Sequence, residues 1–329
     1  MARCRVDPTI ERVTMEGFSF PLGVYPIEAM KPKAGYTVEF EPADGDDSSG
    51  DWEEWPDRYV YDIVIGADRI EPLCRSLLGL LPGRVYPILD VLGQDAYREI
   101  DPYISYDLIG MDRFTDMLRR YRGLFFEDGL CGFGAMADEP FLYVFVDEHK
   151  IITVRAEADQ KERVERVLAA FDLEPAEQPA GADSAPHEHR GVLEAPDDRP
   201  DLLTAEEIVE QLRDEWNLTL NVDPEGNTDD EGNDLGITGW RCLVRCIGEE
   251  EERARYADAV ITAGSLRRAE ELALDAADEL RPKDVEEWAE SLVVSSDRVT
   301  PERLTELLGA KIPEGVLAEE GIKSRAWLE

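Results

Sequence analysis

Apolar and polar residues alternate along the N-terminal part of the chain in the way that strands buried on one face require. This alternation predicts strands at 36–40 and 59–65. Residues 141–146 (FLYVFV) are apolar throughout, which indicates a central strand covered on both faces. The neighbouring segments 130–137 and 151–156 also read as strands. The N-terminal part is therefore expected to contain an antiparallel sheet.

Apolar residues recur at helical spacing between these strands. The spacing predicts helices over 70–81, 112–122 and 161–171. Each begins or ends beside a residue that favours a helix boundary, such as Asp68 before the first and Gly123 after the second. These helices are expected to cover the sheet.

The C-terminal part opens with the capping-box pattern Thr204-x-x-Glu207. Strands are predicted at 218–222, 239–247 and 255–263, and a helix capped by Ser265 follows them. Both parts thus show the order helix–three strands–helix. The predicted fold class is α+β, with two parts each built on a small antiparallel sheet covered by helices.

Residues 173–203 are rich in Pro, Ala, Gly and acidic residues and show no periodicity. Such a composition is typical of a flexible linker. The predicted organisation is an N-terminal α+β domain at 1–172, an acidic linker at 173–203 and a C-terminal α+β domain at 204–329.

Acidic residues dominate the charge of the chain. Asp and Glu number 74 and Lys and Arg number 35, which gives a formal net charge of −39. The acid is spread over many segments, which favours a role in solubility or salt adaptation over imitation of DNA. A surface of this sign repels nucleic-acid phosphate and anionic lipid. With no leader and no long apolar window, we expect a cytoplasmic protein that binds neither nucleic acid nor membranes.

Histidine and cysteine are scarce. The five cysteines are widely spaced, which favours buried free thiols over disulfides. Of the three histidines, His149 falls in a predicted hairpin turn, and His187 and His189 fall in the predicted linker. A catalytic triad or a zinc site bound by histidines is therefore not expected, and no cofactor is predicted.

Two loops carry candidate chemistry based on carboxylates. Asn227, Asp229 and Glu231 resemble the start of a calcium loop, but the twelfth position is Thr238 instead of Glu. This segment is either a weak divalent-cation site or a solvated acidic loop. Asp90, Asp95 and Asp101 lie among tyrosines and are candidates for acid–base catalysis, or they form a chance cluster in an acidic chain.

The densest basic patch lies on the predicted helix at 112–122. It consists of Arg113, Arg119, Arg120 and Arg122. These arginines either pair with carboxylates of the protein itself, bind an anionic ligand or dock a partner.

The charge and the scarcity of catalytic motifs favour a non-enzymatic function. We expect an acidic binding or adaptor protein that engages a basic protein partner, for example as an immunity protein or inhibitor. One alternative is an enzyme that works through carboxylates and arginines of the N-terminal domain, with Asp90, Asp95, Asp101 and Arg120 as its candidates. A second alternative is a structural subunit of a larger assembly.

Overall fold

A computed structural model describes residues 4–43, 55–194, 199, 201–248, 254–282, 287–309 and 319–328. The chain forms two compact units, each made of two stretches of sequence. The first unit comprises Met1–Leu92 and Pro102–Leu220, and the second comprises Gly93–Asp101 and Asn221–Glu329. Within the described ranges, no helix is long and apolar enough to cross a membrane.

The first unit is built on a nine-stranded sheet. Its strands, with those of two small two-stranded sheets, are β1 (Thr14–Met15), β2 (Phe18–Ser19), β3 (Val24–Pro26), β4 (Gly35–Glu41), β5 (Arg58–Val64), β6 (Arg84–Leu92), β7 (Ile100–Ile104), β8 (Ile109–Gly110), β9 (Cys131–Asp138), β10 (Phe141–Val146), β11 (Ile152–Glu157), β12 (His187–His189) and β13 (Thr219–Leu220). The order in the large sheet is β13-β7-β6-β9-β10-β11-β5-β4, and β8 pairs with β6.

Strand β10 lies between β9 and β11, and both of its pairings are antiparallel. Leu142, Val144 and Val146 are buried on one face of the strand, and Phe141 and Phe145 are buried on the other. The prediction of a central strand covered on both faces is confirmed.

Helices of the first unit lie close to the three segments predicted from apolar spacing. A further helix at Arg122–Glu127 was not predicted, and it contains Gly123, which was expected to lie beyond a helix end. The helices of this unit are α1 (Ala67–Leu78), α2 (Met111–Arg120), α3 (Arg122–Glu127), α4 (Lys161–Ala170) and α5 (Ala205–Trp216). The capping box at the start of α5 is present: the Thr204 hydroxyl accepts from the Glu207 amide, and the Thr204 amide donates to the Glu207 carboxylate. These contacts satisfy amide groups that an uncapped helix leaves unpaired.

Helix α5 belongs to the core of the first unit. The indole of Trp216 is fully buried, and its ring centroid lies 4.7 Å from that of Phe114 and 5.7 Å from that of Phe125. The predicted boundary at residue 204 therefore differs from the observed division after Leu220. The apolar face of α5 is buried against aromatic residues that lie more than 90 positions earlier in the sequence. A domain boundary inferred from composition cannot take contacts of this range into account.

Much of the segment predicted as a linker pairs with the first unit through its backbone. Isolated bridges join Pro175 to Tyr36, Ala180 to Lys33 and Leu193 to Val6. Strand β12 lies in the same segment and pairs with β3. Backbone pairing needs no hydrophobic periodicity, so the polar composition of 173–194 gave no sign of it. Residues 195–198 and 200 lie outside the described residues.

The second unit is built on a four-stranded antiparallel sheet. Its elements are β14 (Thr238–Gly248), β15 (Arg255–Ala263), α6 (Leu266–Glu279), β16 (Trp288–Val299), α7 (Pro301–Leu308) and β17 (Gly321–Trp327). The strand order is β16-β14-β15-β17. Helix α6 is capped by the Ser265 hydroxyl and buries a row of small side chains, Ala269, Ala273 and Ala276.

Both units are mixed α and β with antiparallel sheets, but the predicted order helix–three strands–helix is not found. The large sheet has nine strands because segments distant in sequence pair side by side. Helix α5 was predicted to open the second unit, but it packs in the first unit instead. Two strands, β16 and β17, follow α6 there.

A buried ion pair holds the segment 93–101 in the second unit. Both carboxylate oxygens of Asp95 accept from the Arg298 guanidinium, at 2.9–3.0 Å, and Oδ2 also accepts from the Arg298 amide at 2.8 Å. The Asp95 side chain is completely buried. This contact attaches the segment 93–101 to β16.

The neighbouring Asp297 makes the stability of this unit depend on pH. Burial, and then the negative charges of Asp101 and Asp95, raise its pKa from 3.8 to about 6. Between about pH 4 and pH 6 the Asp297 carboxyl is therefore protonated in the folded state but ionised in the unfolded state. Because the folded state binds the extra proton, the contribution of Asp297 to stability falls as pH rises through this window. We expect Asp297→Asn to stabilise the protein by about 1–2 kcal/mol at pH 8, after allowance for solvent screening.

The measurement is urea unfolding of both proteins at pH 8 and pH 4. The gain from Asp297→Asn should shrink or vanish at pH 4, where the native carboxyl is already protonated. An equal difference at both pH values would contradict the assignment.

Candidate metal centre

His149 stands in the turn between β10 and β11. The turn is fixed on both sides of it: the Asp147 carboxylate accepts from the Ile151 amide at 2.7 Å, and Lys150 has a positive φ of 65°. The Lys150 side chain is buried, and its ammonium group donates to the Cys131 carbonyl at 2.5 Å. These contacts hold the His149 side chain in a defined position.

His187 and His189 come from β12, at two-residue spacing. Alternate residues of a strand point to the same face, so both imidazoles lie on one side of the β12–β3 ribbon. Glu188 lies between them, and its carboxylate accepts from the Arg190 guanidinium at 2.6 Å. Strand pairing thus presents two imidazoles together.

Close backbone packing supports the base of this cluster. A Cβ atom at Gly129 would lie 2.1 Å from the Gly23 carbonyl oxygen, which requires glycine there. The backbone groups of Arg190 bridge the two glycines: its amide donates to the Gly23 carbonyl, and its carbonyl accepts from the Gly129 amide. The Gly129 carbonyl is in turn placed 2.8 Å from Nδ1 of His189.

The three imidazoles converge through their Nε2 atoms. Nε2 of His187 lies 3.0 Å from Nε2 of His149 and 3.1 Å from Nε2 of His189. The ring centroids are 4.7–4.9 Å apart and the rings are inclined to each other by 71–77°. Three nitrogens bound to one tetrahedral zinc ion at 2.0–2.1 Å would lie about 3.3 Å apart. The two observed distances, which both involve His187, are close to those of a metal-bound set.

The hydrogen-bond partners of the Nδ1 atoms indicate which ring nitrogens carry a hydrogen. Nδ1 of His187 and of His189 face the carbonyl oxygens of Ala185 and Gly129, at 2.7 and 2.8 Å. A carbonyl only accepts, so each Nδ1 carries a hydrogen and each Nε2 of the neutral ring presents a lone pair. Nδ1 of His149 faces the carboxylates of Asp147 and Glu148, at 3.5 and 3.2 Å, with the same consequence. In these neutral tautomers three lone pairs point at one another, an arrangement that a shared cation, either a proton or a metal ion, makes favourable.

Negative charge surrounds this centre. Burial lowers the pKa of His149, but the carboxylates of Asp147, Glu148 and Asp183 outweigh it and raise the pKa overall. Burial and the nearby His149 lower the pKa of His189. The carboxylates around the cluster attract positive charge, and a metal ion bound there competes with a proton for the nitrogens.

The candidate catalytic aspartates are divided between the two units. Asp90 lies on β6 in the first unit, where burial and the negative charge of Glu148 raise its pKa to about 6. Asp95 and Asp101 lie in the second unit and both face the Arg98 guanidinium. Their oxygens are engaged in ion pairs, which is a structural use of the charge.

Most of the basic patch is paired within the first unit. Arg113 contacts Glu215 at 3.0 Å, Arg120 contacts Asp116 at 3.3 Å, and Arg122 contacts Glu71. Arg119 lines a shallow cavity beside α2. Pairing with the protein's own carboxylates is therefore the use that these contacts support for three of the four arginines.

The loop that resembles a calcium site is occupied by internal contacts. The Asn227 amide oxygen accepts from the Arg298 guanidinium at 3.3 Å, so this candidate ligand is already engaged by a positive charge of the protein. The Asp229 carboxylate accepts from the backbone and side chain of Asn233 and from the amide of Glu231. Among the described residues, the groups with metal-binding spacing involve His149 instead.

The sequence analysis therefore missed the histidine cluster. The one available signal was the spacing His187-x-His189, which places two imidazoles on one face if the segment is a strand. Its polar surroundings indicated a linker, so the strand was not predicted. His149 lies 38 residues before His187, so the sequence gives no sign that the two side chains meet.

Comparisons with other proteins supply no relative from which to transfer a function. The assignment therefore depends on the geometry of the three imidazoles and their partners. No known protein family, no curated protein and no solved structure matches this chain.

Proposed function

We propose that this chain is a metal-binding protein that holds one divalent transition-metal ion, zinc in the first place, through Nε2 of His149, His187 and His189. The observation that carries the proposal is the convergence of three Nε2 atoms whose Nδ1 partners all accept hydrogen bonds. Imidazole nitrogens suit zinc, copper and nickel, whereas calcium and magnesium prefer oxygen.

The partners of Nδ1 add support. Histidines that bind metals usually donate their other ring N–H to a carbonyl or carboxylate, which orients the ring and makes the binding nitrogen more basic. Carbonyls of Ala185 and Gly129 fill this role for His187 and His189, and the carboxylates of Asp147 and Glu148 fill it for His149.

The experiment is equilibrium dialysis against zinc followed by measurement of metal content. The wild type should retain about one zinc per chain. His187→Ala should lose it, and Glu188→Ala, on the same strand but the opposite face, should keep it. Equal retention by His187→Ala and the wild type would contradict the proposal.

The carboxylate of Glu148 should tune the affinity without binding the metal. Its Oε1 lies 3.2 Å from Nδ1 of His149. We expect Glu148→Gln to weaken zinc binding about tenfold, because a neutral amide orients and polarises the imidazole less well. Competition with a chromophoric chelator measures the change. An unchanged dissociation constant would show that Glu148 does not support the ligand.

The high net negative charge supports a second proposal, that an acidic face engages a basic protein partner. Pull-down from a lysate of the source cell at low and high salt, with identification of the captured proteins, tests it. Recovery of a basic protein at low salt only is the expected result. Recovery of no basic protein at either salt concentration would refute the second proposal.

A further inference from the structure

The composition of the cluster limits what can complete the coordination of a metal ion. The chain has only three histidines, and all three are in the cluster. In the described residues, no cysteine is grouped with them; Cys131, the nearest in sequence to His149, directs its thiol to the Leu124 carbonyl. Structural zinc sites have four protein ligands, whereas catalytic sites have three and keep an open position.

The nearby carboxylates do not fill that position in the observed geometry. Asp147 and Glu148 face Nδ1 of His149, on the ring edge opposite to Nε2. A carboxylate that accepts from Nδ1–H on one side cannot also bind a metal held at Nε2 on the other. Among the described residues, no other carboxylate is grouped with the three imidazoles, which leaves the fourth position to water or a small molecule from solvent.

Solvent can reach the cluster. All three histidines are only partly buried, and the His149 side chain retains 19% of its exposure. Partial exposure of this kind lets water exchange at a metal ion bound to the imidazoles. A water on a zinc ion bound by three imidazoles ionises near neutral pH.

The surrounding charge selects the substrate. Asp183 and Glu148 carry negative charge close to the imidazoles, and the whole chain is strongly acidic. These carboxylates offset part of the positive charge of the metal ion itself, so the site attracts anionic substrates less than a zinc ion in neutral surroundings would. The site therefore disfavours phosphate esters.

We infer that the metal ion carries an exchangeable water and that this centre hydrolyses neutral or cationic carboxylic esters. The inference rests on the proposed metal site. The bound water loses a proton to solvent, and the resulting hydroxide attacks the carbonyl carbon. The bond from that carbon to the alkoxy oxygen then breaks, and the leaving oxygen takes up a proton. The products are a carboxylate and an alcohol, and a new water binds the metal.

The test uses the full chain in three forms: depleted of metal by a chelator, reloaded with zinc, and as His189→Ala incubated with the same zinc. Hydrolysis of p-nitrophenyl acetate, which is neutral, is compared with that of p-nitrophenyl phosphate, which is an anion. The zinc content of each sample is measured in parallel, and circular dichroism confirms that His189→Ala is folded.

We expect the reloaded wild type to hydrolyse the acetate at least about tenfold faster than either other form, with little activity on the phosphate. If zinc binds and the acetate rate does not rise, the inference fails and the metal site stands. If the phosphate is the better substrate, the argument from charge is wrong. If no zinc binds, both proposals fail.

Discussion

Replacement of Asp95 by alanine is expected to destabilise the second unit by about 3–5 kcal/mol. The Asp95 carboxylate is completely buried and accepts three hydrogen bonds from Arg298, one from its amide and two from its guanidinium, as well as one from the Tyr97 amide. Its removal leaves the Arg298 guanidinium, 4% exposed, without its carboxylate. A buried charge without a partner lowers the free energy of unfolding by far more than the loss of an exposed ion pair does.

Urea unfolding followed by circular dichroism measures the effect. The matched control is Glu306→Ala, which removes the carboxylate of the exposed Arg303–Glu306 pair in the same unit and should cost less than about 1 kcal/mol. The double variant Asp95→Ala/Arg298→Met should recover part of the loss, because it also removes the unpaired charge. Equal effects of Asp95→Ala and Glu306→Ala would contradict this account of the pair.

Replacement of Trp216 by alanine is expected to destabilise the first unit by about 3–5 kcal/mol. The indole is completely buried, and it packs against Phe114 of α2 and Phe125 of α3. Its loss removes a large apolar area and leaves a cavity that these rings cannot fill without moving. The prediction also tests whether α5 is part of this unit.

The control is Asp214→Ala, an exposed position on the same helix, which should change stability by less than about 0.5 kcal/mol. Both variants are compared with the wild type by thermal and urea unfolding. If Trp216→Ala unfolds like the wild type, α5 does not stabilise the first unit. The domain boundary predicted from the sequence, at residue 204, would then be the better description.

Local sequence signals predicted individual elements well. The helix at Thr204 was found from its capping box, and the central strand at 141–146 from its unbroken apolar run. These signals work because they depend on contacts between residues close in sequence or on burial of the segment itself. The position of Ser265 at a helix start was found for the same reason.

The arrangement of these elements was harder to predict. Strand β16 has exposed residues over its first half and follows a polar stretch, so hydrophobic alternation does not mark it. The excursion at 93–101 joins the second unit through the pair of Asp95 with Arg298, which lie 203 positions apart. Contacts of that range leave no local pattern.

The metal centre could not be predicted for a related reason. Each histidine lies in a polar segment, and β12 is held by backbone pairing with β3 and not by an apolar face. Asn227, Asp229 and Glu231, in contrast, had a suggestive spacing but are engaged by Arg298 and by hydrogen bonds within their own loop. Spacing along the chain does not show which oxygens and nitrogens already have hydrogen-bond or ion-pair partners within the protein.

X-ray absorption spectroscopy of the zinc-loaded protein tests the central claim most directly. The account predicts three nitrogen ligands at 2.0–2.1 Å, outer-shell scattering characteristic of imidazole, and one further light ligand of the size of water. Those imidazole features should disappear in His187→Ala and persist in Glu188→Ala. A shell made only of oxygen ligands would contradict the claim, because it would place the zinc on surface carboxylates and not among His149, His187 and His189.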